Sequence, residues 1–349
     1  MRDSNGASST RIKIFASALI AVLLVSISTS GFSAVAPTRL VIGYASTTPR
    51  LMPLWMARDQ GFFAKYGIES EPVLLRSGAT LVTGMASGDI QIGRTAGAAV
   101  LSAVAAGHDI KMLATFSSRN SYDVVVRPNI KRPEDLRGKK LAINSVGGGT
   151  WIGAMLWLET FGLDVQRDQI LLQSIGDQGT QSQALESGTV DCVFVDSVYS
   201  KLLKQKGMNI IAESHEMKQP LVSQSTIMPN NFLRQHPDIA EGYVKGEVEG
   251  IAFATAPKNK AAVIKMLMRR LRVDANTAEE GYTDMLRGVD RKPFASLEGM
   301  RNLQRLLKPR NPKIADVKVD DVVDNRIMRK LEESGFIDKT FAAHGASFK

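Results

Sequence analysis

Gly147-Gly148-Gly149-Thr150 is the stretch of this chain best suited to holding a charged small molecule. It follows an apolar run from Lys140 to Asn144 and opens a segment in which Trp151, Met155 and Leu158 recur at helical spacing. A strand that turns into a helix through glycines leaves backbone N–H groups free at the positive end of the helix dipole. That arrangement suits an anion such as a sulfonate or carboxylate. A plain Gly-rich turn is the alternative. The stretch is not a dinucleotide fingerprint, because Ile152 stands where the third glycine belongs, and no Lys follows as a phosphate-binding loop requires. Three further side chains each have two readings. Arg94 can pair bidentately with an anion or serve in an ion pair. Trp151 can stack on a ligand or begin the apolar stripe of its helix. Asp196, at a strand end, can bind an amine or cap the helix that follows.

Other chemistry finds little support. His108, His215, His236 and His344 are scattered and show no metal-binding spacing. There is no G-x-S-x-G elbow, and the sole cysteine, Cys192, lies in an apolar strand pattern and reads as a small buried hydrophobe. The sequence therefore calls for no cofactor and no metal.

The elements that must position these residues come in two copies. Gly78 to Ile110 reads as a helix from Ala79, a stop at Ser87-Gly88, a strand Ile90-Gln91-Ile92, a loop from Gly93 to Gly97 and a second helix ending at Gly107. Gly179 to Ile210 repeats it at an offset of 100 residues, with Ser187-Gly188, Val190 and Gly207 in matching places. A helix–strand–loop–helix–strand unit used twice implies two α/β lobes, with the loops at carboxyl strand edges where open sheets bind ligands. Further strands are expected at Leu40–Gly43, Val73–Leu75, Lys111–Phe116, Tyr122–Arg127, Leu171–Gln173 and Leu221–Met228. Beyond Pro229 the pattern is largely helical, in segments 231–236, 239–256, 259–271 and 275–285, with a final amphipathic segment over 322–334. The crossings near 117–124 and 219–227 are candidate hinges.

With 349 residues, 44% apolar and 23% charged, the chain is globular and long enough for two ordinary cores. Its net charge of +9 is spread along the sequence, aromatics are only 6%, and no nucleic-acid motif is present. A solvated basic surface is the reading, not a nucleic-acid partner. At the N-terminus Arg2, Arg11 and Lys13 precede the apolar run Ile14–Ile27, and Ala34-Val35-Ala36 ends a small-residue stretch. This is a secretory-signal pattern, and the run is short of the roughly 20 residues a membrane span needs. Pro37 is a poor residue just after a cleavage point, so an uncleaved N-terminal anchor is the alternative. Loss of residues 1–36 would leave a charge of +7, because three basic residues and Asp3 go with them.

The ordered set Pro53-Leu54-Trp55-Met56-Ala57, Gly61-Phe62-Phe63-Ala64-Lys65-Tyr66-Gly67-Ile68, Met85-Ala86-Ser87-Gly88-Asp89-Ile90 with Ala96-Gly97, Asp135 to Ala142, and Ala184 to Asp191 carries a resemblance. It resembles the solute-binding proteins of ABC importers of the nitrate/sulfonate/taurine type, related to NMT1/THI5-like proteins. The resemblance implies a type II periplasmic-binding-protein fold, two α/β lobes joined by two crossover segments around a ligand cleft. Lobe one would hold residues 37–121 and 225–349, and lobe two 122–224, after a signal at 1–36. It implies periplasmic localisation, a small-molecule ligand, docking of a monomer onto an inner-membrane ABC permease, and no catalysis. By position, Ser46-Thr47-Thr48 corresponds to one wall of the cleft and Thr95-Ala96-Gly97 to a second. Gly148-Gly149-Thr150 and Asp196-Ser197 correspond to the lobe-two side. Arg94 and Trp151 are the unfamiliar additions, with Arg94 and the lobe-two helix N-terminus expected to hold an anion. A thiamine-pyrimidine-synthase-like enzyme and a membrane-tethered ligand sensor are the alternatives. The first would need a cysteine-rich motif that one Cys cannot supply.

Overall fold

The computed structural model describes residues 36–75 and 77–346. The expected secretory signal therefore lies outside the described residues, except for Ala36. From Pro37 onward the chain forms one compact unit.

Ten described strands build two five-stranded sheets. The strands are β1 Thr38–Tyr44, β2 Ile68–Leu74, β3 Ile92–Thr95, β4 Ile110–Arg119, β5 Asp123–Val126, β6 Lys140–Ile143, β7 Leu171–Ser174, β8 Cys192–Val195, β9 Asn209–Ala212 and β10 Pro220–Pro229. One sheet runs β2-β1-β3-β10-β4 and the other β7-β6-β8-β5-β9. In both sheets the fourth strand in that order is antiparallel to its neighbours. In the first sheet that strand is β10, arriving from the second; in the second it is β5, arriving from the first. The chain thus crosses between lobes twice, at 120–122 and again ahead of Pro220. The return strand enters the first sheet at Pro220 rather than at residue 225. These are the two α/β lobes of a type II periplasmic-binding-protein fold.

The helices of eight or more residues are α1 Met52–Asp59, α2 Gly78–Ala86, α3 Gly97–Ala105, α4 Gly149–Thr160, α5 Gln178–Glu186, α6 Ser197–Gln205, α7 Pro237–Thr255, α8 Lys260–Leu271, α9 Ala275–Gly288, α10 Leu297–Leu307, α11 Arg326–Glu333 and α12 Phe336–His344. The internal repeat holds residue for residue. Helices α2 and α5, strands β3 and β8, and helices α3 and α6 each begin and end 100 positions apart. The caps repeat as well: the Thr80 N–H donates to Ser77 Oγ and the Thr180 N–H to Asp177 Oδ1. Gly88 and Gly188 close the first helix of each copy at φ values of 84° and 77°, a conformation that costs a Cβ-bearing residue.

The core strand of each copy starts two residues later than the apolar pattern suggests, at Ile92 and not Ile90. Ile90 is still part of the helix ending, its N–H donating to the Gly84 carbonyl at 3.0 Å, with Val190 doing the same to Ala184 at 3.2 Å. Helix α12 follows the amphipathic segment over 322–334, which is therefore not the last helix, and α10 lies ahead of that segment in a stretch where the sequence pattern predicts none.

The lobes touch through more than the crossovers. Arg305 on α10 makes two 3.0 Å hydrogen bonds to Glu159 on α4, and Lys201 on α6 donates to the Asn276 carbonyl on α9 at 3.0 Å.

Candidate functional site

A cavity of about 360 Å³ lies where carboxyl ends of strands from both lobes converge. Lobe one supplies Ser46 after β1, the start of α2 at Gly78 and Ala79, and Thr95 and Ala96 at the turn from β3 into α3. Lobe two supplies the loop from Asn144 to Gly149 after β6, and Gln224 on β10 lies between them. An apolar wall of Val82, Ala99, Ala103 and Ala106 continues along α2 and α3 toward His108. Among the described lining residues there is no Lys, Arg, Asp or Glu.

Among the described lining residues, the positive ends that face this cavity come from the backbone. Ala96 is the N-cap of α3 and Gly148 the N-cap of α4, both extended, and neither helix start receives a side-chain hydrogen bond. Each therefore presents unsatisfied N–H groups and a positive dipole end to the cavity. The repeat explains why the space exists at all. In lobe two the positions matching Gly78 and Ala96 are Gln178 and Asp196. There the Gln178 Nε2 donates to Asp196 Oδ2 at 3.2 Å, the Asp196 N–H donates to Gln178 Oε1 at 2.7 Å, and Asp196 Oδ1 accepts from the Val198 N–H at 3.2 Å. Lobe two fills and caps its helix end from within. Lobe one, with glycine and alanine in those places, has no such side-chain cap at the start of α3.

A Cβ at Gly149 would lie 2.5 Å from the Tyr122 hydroxyl that packs beneath the helix start, so any larger residue there requires Tyr122 to shift. Thr150 fastens the loop and does not line the cavity: its Oγ1 accepts from the Asn144 N–H at 2.7 Å and donates to Asn144 Oδ1 at 3.0 Å. Gln224 Nε2 donates to Ser46 Oγ at 3.2 Å, orienting that hydroxyl from the neighbouring strand.

Of the residues singled out in the sequence, the structure brings together Ser46, Thr95, Ala96, Gly148 and Gly149 around this cavity. It does not place Arg94 there. That side chain is fully buried, with Nη1 2.7 Å from Glu247 Oε1 and its guanidinium carbon 4.1 Å from the centre of the Phe116 ring. It is an internal ion pair, because along β3 successive side chains take opposite faces and Thr95, not Arg94, turns toward the cavity. Trp151 is also a core residue, 1% exposed, with the Arg310 guanidinium over its ring. Gly97 packs on α10, where a Cβ would come within 2.6 Å of Met300 Sδ. Thr48 is buried and Thr47 half-buried, both away from the cavity lining. Ser197 opens α6 beneath α9, whose Gly281 sits against Val198 and Pro49. Sequence reasoning missed Asn144, Gln224 and the alanine wall. Only the wall had a readable signal, the spacing of Ala96, Ala99, Ala103 and Ala106 along one helical face.

Asp196 is the helix cap of its two readings. Burial lifts its carboxyl to about 6, against the opposing pull of Arg50 and with Asp284 adding to the rise. Such an acid binds a proton more tightly folded than unfolded, so its contribution to stability is present below its ordinary value of 3.8 and is lost as pH rises to about 6. Asp196→Asn keeps an acceptor oxygen and removes the titration. Its stability relative to the parent should climb between pH ~4 and ~6 and level off above. Urea denaturation at a series of pH values checks this, and a constant difference across the window would contradict it.

The arrangement is two α/β lobes with a cavity at the strand ends. Residues 48–261 match the NMT1/THI5-like family, and the chain belongs to that family. The taurine-binding periplasmic protein of Escherichia coli (strain K12) is 25% identical over 179 residues, 50% of this chain and 53% of that protein. The match thus spans about half the length of that relative. Among solved structures, the periplasmic aliphatic sulphonate binding protein SsuA of Escherichia coli superposes with a TM-score of 0.67 at 18% identity, covering 84% of this chain and 99% of that one. The periplasmic nitrate-binding protein NrtA of Synechocystis PCC 6803 gives 0.67 at 16% identity, covering 89% and 91%. All three are described as binding proteins. Among the described residues no helix is long and apolar enough to cross a membrane.

Proposed function

We propose that this protein is the extracytoplasmic solute-binding component of an ABC importer. It captures a small organic anion, of sulfonate or carboxylate type, by closing its lobes and presents it to a membrane permease. The observation that carries this reading is the meeting of two uncapped helix N-termini, α3 from lobe one and α4 from lobe two, in a cavity whose described lining residues include no Lys, Arg, Asp or Glu. An anion there satisfies N–H groups from both lobes at once, so its binding energy favours the closed arrangement. The names of the relatives point to taurine, aliphatic sulfonates and nitrate, each of which carries an anionic group. Binding without turnover, the periplasm as location, a monomeric state and the absence of a cofactor belong to the same proposal.

A thermal-shift screen of residues 37–349 against sulfonates, carboxylates, nitrate, amines and pyrimidines tests it. A ligand that binds only the folded state raises the melting temperature by mass action. An organic anion is expected to give the largest rise. A rise with amines or neutral pyrimidines, and none with any anion, would overturn the assignment.

A further inference from the structure

A second cavity, about 400 Å³, shares no described lining residue with the first. Its walls come from the end of β4 and the first crossover, from Ser214 and His215 ahead of the return crossover, and from the end of α9. Its charges do not balance. Arg50 and Asp284 form a mostly buried pair at 3.4 Å, with Arg50 also donating to the Ser121 carbonyl at 2.6 Å, and they largely neutralise one another. His215 sits 3.3 Å from its own neighbour Glu213. Arg119 and Arg287, both exposed and both lining the cavity, make no side-chain hydrogen bond or ion pair with any described residue, and of the two only Arg287 acts on the Asp284 charge, at longer range than Arg50. The nearby Asp290 accepts from Ser118 Oγ at 2.9 Å and does not line the cavity. The remaining walls mix hydroxyls, Ser117 and Ser121, with apolar surface from Pro53, Phe116, Met285 and Val289.

We propose that this cavity is a second binding site, separate from the carrier cleft, for an organic dianion of dicarboxylate type. The two free guanidinium groups each take one carboxylate, and the apolar walls cover the carbon chain between them. Two fixed positive groups and serine hydroxyls match two carboxylates, whereas a cation would meet uncompensated charge. The walls join the first crossover segment to Ser214 and His215 of lobe two and to α9 of lobe one, so occupancy favours one lobe arrangement over another and makes this an effector site by linkage.

Adipate is a suitable probe, titrated calorimetrically into the full chain, into Arg119→Ala/Arg287→Ala and into Ala96→Asp. The last variant places a carboxylate in the first cavity and leaves the second untouched. Adipate should bind the parent and Ala96→Asp alike, and the double arginine variant about tenfold or more weakly. Both arginines are exposed, so that variant should fold, and circular dichroism verifies it. No heat with the parent overturns the site. Loss in Ala96→Asp with retention in the double variant overturns it too, placing adipate in the carrier cleft. Because Ala96→Asp blocks the carrier cleft, heat retained in that variant reports the second cavity alone, and this result stands apart from the carrier assignment. Small-angle scattering should show a changed radius of gyration with adipate, and binding without any change would overturn the effector role.

Discussion

Ala96→Asp should abolish capture of the anionic ligand while leaving the fold as stable as before, or slightly more so. Position 96 is the N-cap of α3 and lines the cavity, with an extended backbone at φ −75° and ψ 149°. Its counterpart 100 residues on, Asp196, holds almost the same conformation, φ −72° and ψ 169°, and caps its helix with a carboxylate oxygen. The substitution therefore gives lobe one the cap that lobe two already has. A good cap in place of alanine contributes about 1 kcal/mol to stability. For the ligand the effect is opposite: the N–H groups it would use are taken, and a negative charge stands where its own must sit. Two like charges about 4 Å apart repel by about 4 kcal/mol at an effective dielectric near 20, so affinity should fall about a hundredfold or more. Calorimetry with the best anion from the screen, alongside urea denaturation, measures both quantities. Undiminished affinity in a stably folded variant would show that the ligand does not lie against α3.

The same comparison between lobes shows what was legible in the sequence. The duplicated unit was readable because its punctuation is local: Ser-Gly at one helix end and Gly at the other recur without reference to the rest of the fold. The glycine loop before α4 was readable for the same reason. The misplacement of the strand start at Ile90 has a physical source. A buried aliphatic residue just past a helix end and one in a strand carry the same apolar signal, and only the backbone hydrogen bond to Gly84 separates them. Gln224 was out of reach, because nothing near it marks a strand residue that bonds Ser46 across 178 positions. Helix α10 is a different case. Ser296 capping the Gly299 N–H, followed by Met300, Leu303 and Leu307 on the buried side, is a helix signal written locally in the sequence. Arg94 illustrates the limit most plainly, since its partner is 153 residues away on a helix whose packing no local pattern reveals.

Arg94→Ala should accordingly cost stability, about 3–5 kcal/mol, and not act first on ligand affinity. Glu247 is fully buried on α7, and burial pushes its carboxyl upward while Arg94 opposes that rise. Thr226 Oγ1 donates to Glu247 Oε2 at 2.6 Å and the Tyr243 hydroxyl to Oε1 at 3.2 Å, but these neutral groups do not replace the lost charge. Removing the guanidinium leaves a buried carboxylate that must either protonate or draw water into the core, together with a cavity against Phe116. The pair itself is not an efficient stabiliser, because Arg94 Nε and Nη2 are buried without partners. That asymmetry makes a second test possible. Arg94→Met/Glu247→Gln removes both charges and roughly keeps the volume, so it should recover much of the loss seen in Arg94→Ala. Urea denaturation of the parent and the two variants separates the cases. If Arg94→Ala were as stable as the parent yet failed to bind any anion that the parent binds, Arg94 would be a ligand residue after all. A large stability loss that the double variant repairs would establish it as the internal tie between β3 and α7, on the strand that aims Thr95 and Ala96 at the cavity.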